Sequence, residues 1–317
     1  MLTRDNFTGP WAGLPVAWTD DDRFDETTYR ADVSHCCESG VPGVYTGGTT
    51  GEFYAMEFDE FQAIARATVE ECHARNTPAM IGCSSTYTLG AQRRAEFAVQ
   101  LGADAIQVTI PYWMEVGRMA IETFLREVSS ASGGLPLSLY ETTRCKVTLS
   151  IEQHKELHDQ LPNYLMVKSN AGTIGSTQDG CRALSEFVNV FTGEGDWENL
   201  GPHGVRGGCS SMVYWNPQVC LALWRAVEEG DWESVRQQAR PVSTLFAFLH
   251  DEFGTQGYTD TAFDRLGGLA SGFLQTSMRI RSPYASVLPA EVEKLRSWYA
   301  TEFPEMLDFP NDKTRVV

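Results

Sequence analysis

The chain has 317 residues, of which 42% are hydrophobic and 11% aromatic, so it carries enough apolar material for one large core. Its 42 acidic residues outnumber its 25 basic residues, and the resulting formal net charge of −17 repels nucleic acid and anionic membrane surfaces. We therefore expect neither nucleic acid nor a membrane as a partner.

Targeting and redox features predict a cytoplasmic protein. No stretch approaches the roughly 18 uninterrupted apolar residues of a membrane span, and residues 1–8 contain no apolar signal segment. The eight cysteines are scattered and form no Cys-x-x-Cys pair, which favours reduced thiols over a disulfide framework or a zinc site.

Short apolar runs alternate with helical patterns along the first two hundred residues, which is typical of β-α-β units. The candidate strands are Gly13–Trp18, Gly43–Thr46, Ala79–Gly82, Ala105–Thr109, Leu135–Tyr140, Tyr164–Lys168, Asn189–Thr192 and Val205–Gly208. The helical windows between them begin near Asp25, Asp59, Thr88, Met119, Ser150 and Thr177. About eight strands with intervening helices predict an α/β fold, a (β/α)8 TIM barrel, over residues 1–230.

After Asn216 the pattern is helical throughout. The predicted helices are Pro217–Glu229, Asp231–Asp251, Thr261–Met278 and Pro289–Phe303, followed by a frayed tail at Phe309–Val317. The first of these completes the barrel, and residues 231–317 are predicted to form a C-terminal helical extension.

Residues 45–52 read YTGGTTGE and connect a predicted strand to a predicted helix. Their three glycines let backbone N–H groups converge beside the hydroxyls of Thr49 and Thr50, which favours a nest for a carboxylate. A phosphate loop is a rival interpretation, although the segment has neither the Lys-Ser/Thr of a Walker loop nor GxGxxG spacing. A tight turn without a ligand is the third.

Lys168 closes an apolar predicted strand, and a lysine in such surroundings fits a Schiff-base nucleophile. We expect burial at the barrel mouth to lower its pKa from about 10.4 toward neutrality. A lysine that merely extends from a strand end to solvent is the alternative. Tyr140, at the end of another strand, is either an acid/base group or a packed core residue.

Five motifs, in this order and spacing, resemble the dihydrodipicolinate synthase and N-acetylneuraminate lyase family. They are GGTTGE at 47–52, Pro111-Tyr112 with an aromatic residue, Tyr140, Lys168, and GGCSS at 207–211 with Asn216-Pro217. The resemblance extends from Gly9 through the RSPY run at 281–284, which is nearly the whole chain.

The resemblance implies a homotetramer of two dimers and a Schiff base between Lys168 and a 2-oxo acid, usually pyruvate. In such a site Tyr140 and Thr49 would move protons, and the substrate carboxylate would lie against the loop at Gly48 and Thr50. Gly193 and Cys209 would line the pocket through backbone groups.

Two departures from the family concern the second substrate. Trp113 replaces the second tyrosine of the synthase proton relay, and Arg144 lies one residue earlier than the synthase arginine. We list both as candidate substrate-binding residues, with a loop-surface position as the alternative for Arg144. The resemblance also implies that Tyr112 or Trp113 reaches a neighbouring subunit.

The predicted function is a lyase that acts on a hydroxylated or sugar-derived 2-oxo acid, by aldol cleavage or by elimination of water. The alternatives are 4-hydroxy-tetrahydrodipicolinate synthase, an imino-acid deaminase of the same family, and a non-catalytic barrel that binds a 2-oxo acid.

A protonated imine is itself an electron sink, so this chemistry requires no metal and no organic cofactor. A metal-dependent aldolase would need histidines and carboxylates clustered at strand ends, whereas the six histidines lie mainly in helical windows or loops. His154 and His158 share one helical face without the glutamate of zinc proteases, which favours a solvated face.

Overall fold

The computed structural model describes residues 1–309. Eight parallel strands pair in chain order, and the eighth closes onto the first to complete a barrel. The strands are β1 Gly9–Gly13, β2 Val44–Thr46, β3 Ala79–Gly82, β4 Ala105–Thr109, β5 Leu137–Glu141, β6 Tyr164–Ser169, β7 Asn189–Thr192 and β8 Val205–Ser210. The predicted (β/α)8 TIM barrel is confirmed.

Helices surround the barrel and continue beyond it. They are α1 Glu26–Glu38, α2 Phe58–Ala74, α3 Thr88–Leu101, α4 Arg118–Ala131, α5 Ile151–Gln160, α6 Gln178–Leu184, α7 Trp197–Leu200, α8 Pro217–Glu229, α9 Trp232–Phe253, α10 Asp260–Ser271 and α11 Pro289–Glu302. None of these described helices combines the length and apolarity that a bilayer crossing requires. The proposed division at residue 230 lies between α8 and α9, and the predicted frayed tail lies outside the described residues except for Phe309.

Three of the predicted helix starts have a side-chain cap in the structure. Asp25 accepts a hydrogen bond from the Thr28 N–H, Ser150 from the Gln153 N–H, and Thr177 from the Gly180 N–H. Each cap satisfies a backbone donor that the first turn of a helix leaves without a partner, which is why these residue types mark helix starts in the sequence.

The prediction for β1 was wrong. The strand is Gly9–Gly13, and the apolar run that follows, which we took for the strand, continues past the barrel as irregular chain. Glycine and proline at 9–13 argue against a strand by propensity. Packing requires small residues here, because a Cβ on Gly13 would lie 2.2 Å from the Tyr45 ring and one on Gly43 2.5 Å from the Trp11 ring.

The predicted helix Thr261–Met278 ends early, at Ser271. Gly272 adopts a left-handed conformation with φ 82°, and its N–H bonds back to the last turn of α10. This glycine cap ends the helix. The backbone N–H groups of Gln275 and Thr276 then donate to the Asp32 carboxylate rather than to helical carbonyls.

His154 does not lie on a solvated face, as we had expected. It is fully buried, with Nδ1 2.8 Å from the Tyr164 hydroxyl and Nε2 3.3 Å from Oε2 of Glu141. Helical periodicity correctly placed His154 and His158 on one face of α5, but it could not identify polar partners on β5 and β6 that satisfy a buried imidazole.

The extension is joined to the barrel by a fully buried ion pair. Arg265 of α10 donates through Nη2 to Glu52 Oε1 at 2.6 Å and to the Val16 carbonyl at 2.6 Å. Trp18 Nε1 donates to the same Glu52 oxygen at 3.0 Å. Because Glu52 ends the glycine-rich loop after β2, this ion pair fixes the loop against α10.

We predict that Arg265→Met lowers the free energy of unfolding by about 3 to 5 kcal/mol, because it leaves the Glu52 carboxylate buried without its charged partner. Urea denaturation measures the effect. The control is Arg236→Met, which removes an exposed ion pair to Glu233 and should cost at most about 1 kcal/mol. An equal, small effect for both variants would contradict the importance of the buried pair.

Candidate active site

Lys168 lies near the carboxyl end of β6, next to Tyr140 in the register of the neighbouring strand β5. Its Nζ lies 4.1 Å from the centroid of the Tyr140 ring, 5.5 Å from that of Tyr45, and 3.5 Å from the Tyr45 hydroxyl. The carboxyl ends of parallel strands meet at one face of the barrel, so the amine points into the shared mouth between two phenols.

The electrostatic surroundings of Lys168 contradict our expectation for its pKa. Burial lowers the pKa of the amine, but the neighbouring side chains of Tyr140, Tyr45 and Cys209 together raise it by more than burial lowers it. The pKa therefore lies above its ordinary value. The prediction considered burial alone and could not include groups from three other strands. Lys168 is therefore an ammonium at neutral pH and must lose a proton before it attacks a carbonyl.

Tyr140 is buried and has two polar neighbours at the barrel mouth. Its hydroxyl lies 3.1 Å from Thr49 Oγ1 in the glycine-rich loop, and Asn170 Nδ2 donates to it at 3.5 Å. A phenol beside the amine with a hydroxyl behind it can accept a proton from one and pass it to the other.

Thr50 points to the other side of the loop. Its Oγ1 donates to Asp264 Oδ2 at 2.5 Å, and Asp264 belongs to α10. The side chain is therefore engaged by a carboxylate of the protein itself. The backbone N–H groups of Thr49 and Thr50 donate to no acceptor within residues 1–309, which leaves them available to an anion.

A cavity of about 330 Å³ opens above Lys168. Four carboxyl side chains and one amine are among the described residues that line it: Glu194, Asp196, Asp260, Asp264 and Lys168. Burial raises the pKa of Asp264 to about 7, and burial beside Glu194 raises that of Asp196. The walls around the amine are therefore acidic and rich in hydrogen-bonding groups.

A second cavity of about 400 Å³ lies on the far side of Tyr140 and Thr49, which line both. It is lined largely by aromatic rings, among them Phe53, Tyr54, Tyr112, Tyr258 and Tyr284. Arg144 also lines it, but Nη2 of this arginine lies 2.9 Å from both carboxylate oxygens of Asp260. The guanidinium is thus already paired with a carboxylate of the chain.

The remaining candidate residues divide into two groups. Gly193 and Cys209 line the first cavity. Gly48 and Trp113 line neither cavity. A Cβ on Gly48 would lie 2.9 Å from the Tyr45 ring. Trp113 is 72% exposed, and the Lys146 ammonium lies 5.7 Å from its ring centroid. Within one chain, Gly48 allows Tyr45 to pack and Trp113 lies on the surface.

Sequence reasoning missed three groups at the mouth. Tyr45 is the last but one residue of β2, just before the glycine-rich loop, a position that could have identified it. Tyr214 and Asp264 had no such signal, because Tyr214 lies in a short 3-10 helix after β8 and Asp264 lies in a helix of the extension. Within residues 1–309, no three histidine, cysteine, aspartate or glutamate side chains are grouped to hold a metal ion.

Comparisons with known proteins agree with this geometry. The model of the Dihydrodipicolinate synthetase family matches residues 6–297. A 4-hydroxy-tetrahydrodipicolinate synthase of Methylobacterium radiotolerans is 29% identical over 234 residues, which are 72% of this chain and 77% of the relative.

Solved structures show the same fold. A prophage protein of the dihydrodipicolinic acid synthase family from E. coli, in complex with pyruvate, has a TM-score of 0.82 at 21% identity and covers 93% of this chain and 98% of its own. A sialic acid aldolase catalytic lysine mutant of Ruminococcus gnavus has a TM-score of 0.84 at 15% identity and covers 97% of this chain and 100% of its own.

The raised pKa of Lys168 predicts that imine formation with pyruvate accelerates with pH. Below the folded-state pKa the neutral fraction of the amine grows about tenfold per pH unit, so the rate should rise from pH 6 to pH 9. Rapid mixing at each pH, a quench into borohydride under fixed conditions, and intact mass measure this rate. A rate that is flat above pH 6 would mean that the amine is already neutral.

Tyr140→Phe should slow the exchange of pyruvate methyl protons with D₂O by a factor of ~10² to 10⁴, because the variant lacks the hydroxyl that moves the proton. NMR follows the exchange. Tyr299→Phe is the matched control, since the Tyr299 hydroxyl is buried without a partner among the described residues. Unchanged exchange in Tyr140→Phe would assign this ring to packing.

Proposed function

The chain belongs to the dihydrodipicolinate synthetase family, a family of class I Schiff-base lyases, and we propose that it cleaves or dehydrates a hydroxylated or sugar-derived 2-oxo acid held as an imine on Lys168. The observation that carries the proposal is the arrangement of Lys168, Tyr140 and Thr49. An amine lies 4.1 Å from the centroid of a buried tyrosine ring, and the hydroxyl of that tyrosine contacts a threonine of the glycine-rich loop.

The proposed reaction begins when Lys168 gives up a proton and its Nζ attacks the 2-oxo carbon. Loss of water forms the imine, whose protonated form accepts the electrons of a bond that breaks at carbon 3. Tyr140 and Thr49 move protons between the amine, the substrate and solvent. The open N–H groups of Thr49 and Thr50 provide the contacts for the substrate carboxylate.

The lining of the cavity favours a hydroxylated substrate over one with a second carboxylate. Four carboxyl side chains line the cavity, and a second anionic group would meet repulsion from those that are ionised. Arg144 donates through Nη2 to both carboxylate oxygens of Asp260, which offsets part of its attraction for such a group. Carboxyl and hydroxyl side chains instead suit the hydroxyls of a sugar-derived chain.

Condensation with a second substrate, the synthase activity, is the second candidate because the Methylobacterium radiotolerans relative carries that name. Against it, the indole of Trp113 can donate but cannot accept a proton, and it lies at the surface of the single chain.

We also propose a homotetramer, for which the exposed side chains of Trp113, Met114 and Met119 supply an apolar contact patch. The eight free thiols support a cytoplasmic location.

Borohydride reduction with pyruvate should add one pyruvyl group per chain, and Lys168→Ala should add none. The matched control is Lys155→Ala, which removes an exposed lysine paired with Asp159 and should label like the wild type. Intact mass gives the stoichiometry. Labelling that persists in Lys168→Ala, or a wild type that does not label, would refute the imine.

Activity on a panel of 4-hydroxy-2-oxo acids and deoxy-sugar acids, measured beside a coupled synthase assay, tests the substrate class. We expect turnover on the panel and poor condensation of pyruvate with aspartate semialdehyde. Synthase turnover of ~1 to 10³ s⁻¹ with no reaction on the panel would establish the second candidate instead.

A further inference from the structure

Asp264 brings a carboxyl group from the extension into the cavity that contains Lys168. The residue is only 9% exposed and lies on α10, whose backbone is anchored there because Trp215 Nε1 donates to the Asp264 carbonyl at 2.8 Å. The Thr50 hydroxyl holds one carboxyl oxygen at 2.5 Å. The carboxyl is therefore fixed in position, and the mechanism above gives it no task.

Four ionisable groups face this carboxyl: Lys168 of β6, Glu194 after β7, Tyr214 after β8 and Asp260 of α10. The Thr50 hydroxyl of the loop donates to it. Burial raises the pKa of Asp264 to about 7 against the lowering influence of Thr50 and Lys168. Near neutral pH a substantial fraction of Asp264 is protonated and can donate.

Elimination of water and aldol cleavage make different demands on a site. Cleavage needs one base, which takes the proton of the hydroxyl at carbon 4. Elimination needs a base for the proton at carbon 3 and, in addition, an acid for the departing hydroxyl. Two groups in opposite protonation states must therefore be present near the imine.

The two loop threonines each contact one group that can exchange a proton. Thr49 contacts the Tyr140 hydroxyl, and Thr50 contacts the Asp264 carboxyl, so adjacent residues orient one phenol and one carboxyl near the same amine. A single-base cleavage would use Tyr140 and leave a buried, protonatable carboxyl without a function. Burying a carboxyl is costly, which gives this placement weight.

We propose that Asp264 is the general acid that protonates the hydroxyl leaving carbon 4, and hence that the reaction on Lys168 is elimination of water from a 4-hydroxy-2-oxo acid. This inference rests on the proposed function, because it requires the imine. It goes beyond that function in choosing dehydration over cleavage and in assigning the acid.

The step balances as follows. Tyr140, after passing its own proton through Thr49 to solvent, takes a proton from carbon 3 of the iminium, and the electron pair of that bond forms the enamine. The lone pair of the enamine nitrogen then forms the iminium again, and the carbon 2 to carbon 3 double bond shifts to carbons 3 and 4. The bond between carbon 4 and oxygen breaks, and its electron pair stays on the oxygen. Asp264 gives its proton to that oxygen, so water leaves and Asp264 remains a carboxylate. Hydrolysis of the iminium releases the unsaturated 2-oxo acid and the Lys168 amine.

The test compares Asp264→Asn with the wild type on the 4-hydroxy-2-oxo acid panel. The variant should lose a factor of ~10² or more in the kcat of dehydration, while pyruvate labelling by borohydride and methyl exchange in D₂O stay as in the wild type. At saturating substrate the wild-type kcat should fall as the pH rises through about 7, because the acid loses its proton, and Asp264→Asn should lack this fall.

The matched control is Asp32→Asn, because Asp32 is also buried with its pKa raised to about 7, yet it binds the Gln275 and Thr276 N–H groups instead of lining the cavity. It should retain the wild-type kcat and pH profile. If Asp264→Asn does not fold, Thr50→Val should lower kcat by freeing the carboxyl, and Thr50→Ser should restore it.

The assignment would be overturned by full dehydration by Asp264→Asn, by loss of methyl exchange together with dehydration in a folded variant, or by cleavage rather than dehydration across the panel. A panel on which nothing is dehydrated while pyruvate still labels Lys168 would also overturn it. Failure of the wild type to label refutes the imine itself and so is distinct from these outcomes.

Discussion

The buried ion pair between Glu52 and Arg265 is the constraint on which the geometry of the mouth depends. Both side chains are fully buried, so their charges must remain together. Glu52 has a φ of 51° and closes the glycine-rich loop, and Arg265 directly follows Asp264 on α10. The contact that neutralises these charges therefore sets the distance between the loop threonines and the carboxyl of the extension.

The barrel was predictable because its strands end in recognisable ways. Glycine, proline and cap residues delimit most units, and the alternation of strand and helix admits few closed topologies. β1 was not predictable by the same rules. The Tyr45 ring occupies the space of a Cβ on Gly13, and Pro42 that of a Cβ on Gly9, and such contacts with neighbouring chain are not contained in propensity.

The candidate site was predictable to the same extent as the strands that carry it. Tyr140 and Lys168 lie at strand ends, and parallel strands align those ends, so their proximity follows from the fold. Asp264 lies 214 residues from Thr50, and no spacing rule pairs a helical aspartate with a loop threonine. The prediction of a lowered pKa for Lys168 was wrong for a related reason. Side chains from other strands raise this pKa by more than burial lowers it.

The extension therefore changes what the barrel loop can do. A pair of threonines between glycines, taken alone, is a nest for an anion with two spare hydroxyls. The Glu52 to Arg265 contact holds α10 against this loop, so the Thr50 hydroxyl engages Asp264 while the Thr49 hydroxyl remains beside Tyr140. Only the backbone N–H groups are then left for a substrate carboxylate, and the two hydroxyls orient groups that can exchange protons. The placement of Tyr140 and Asp264 in one cavity thus depends on a contact between two parts of the chain that are far apart in sequence.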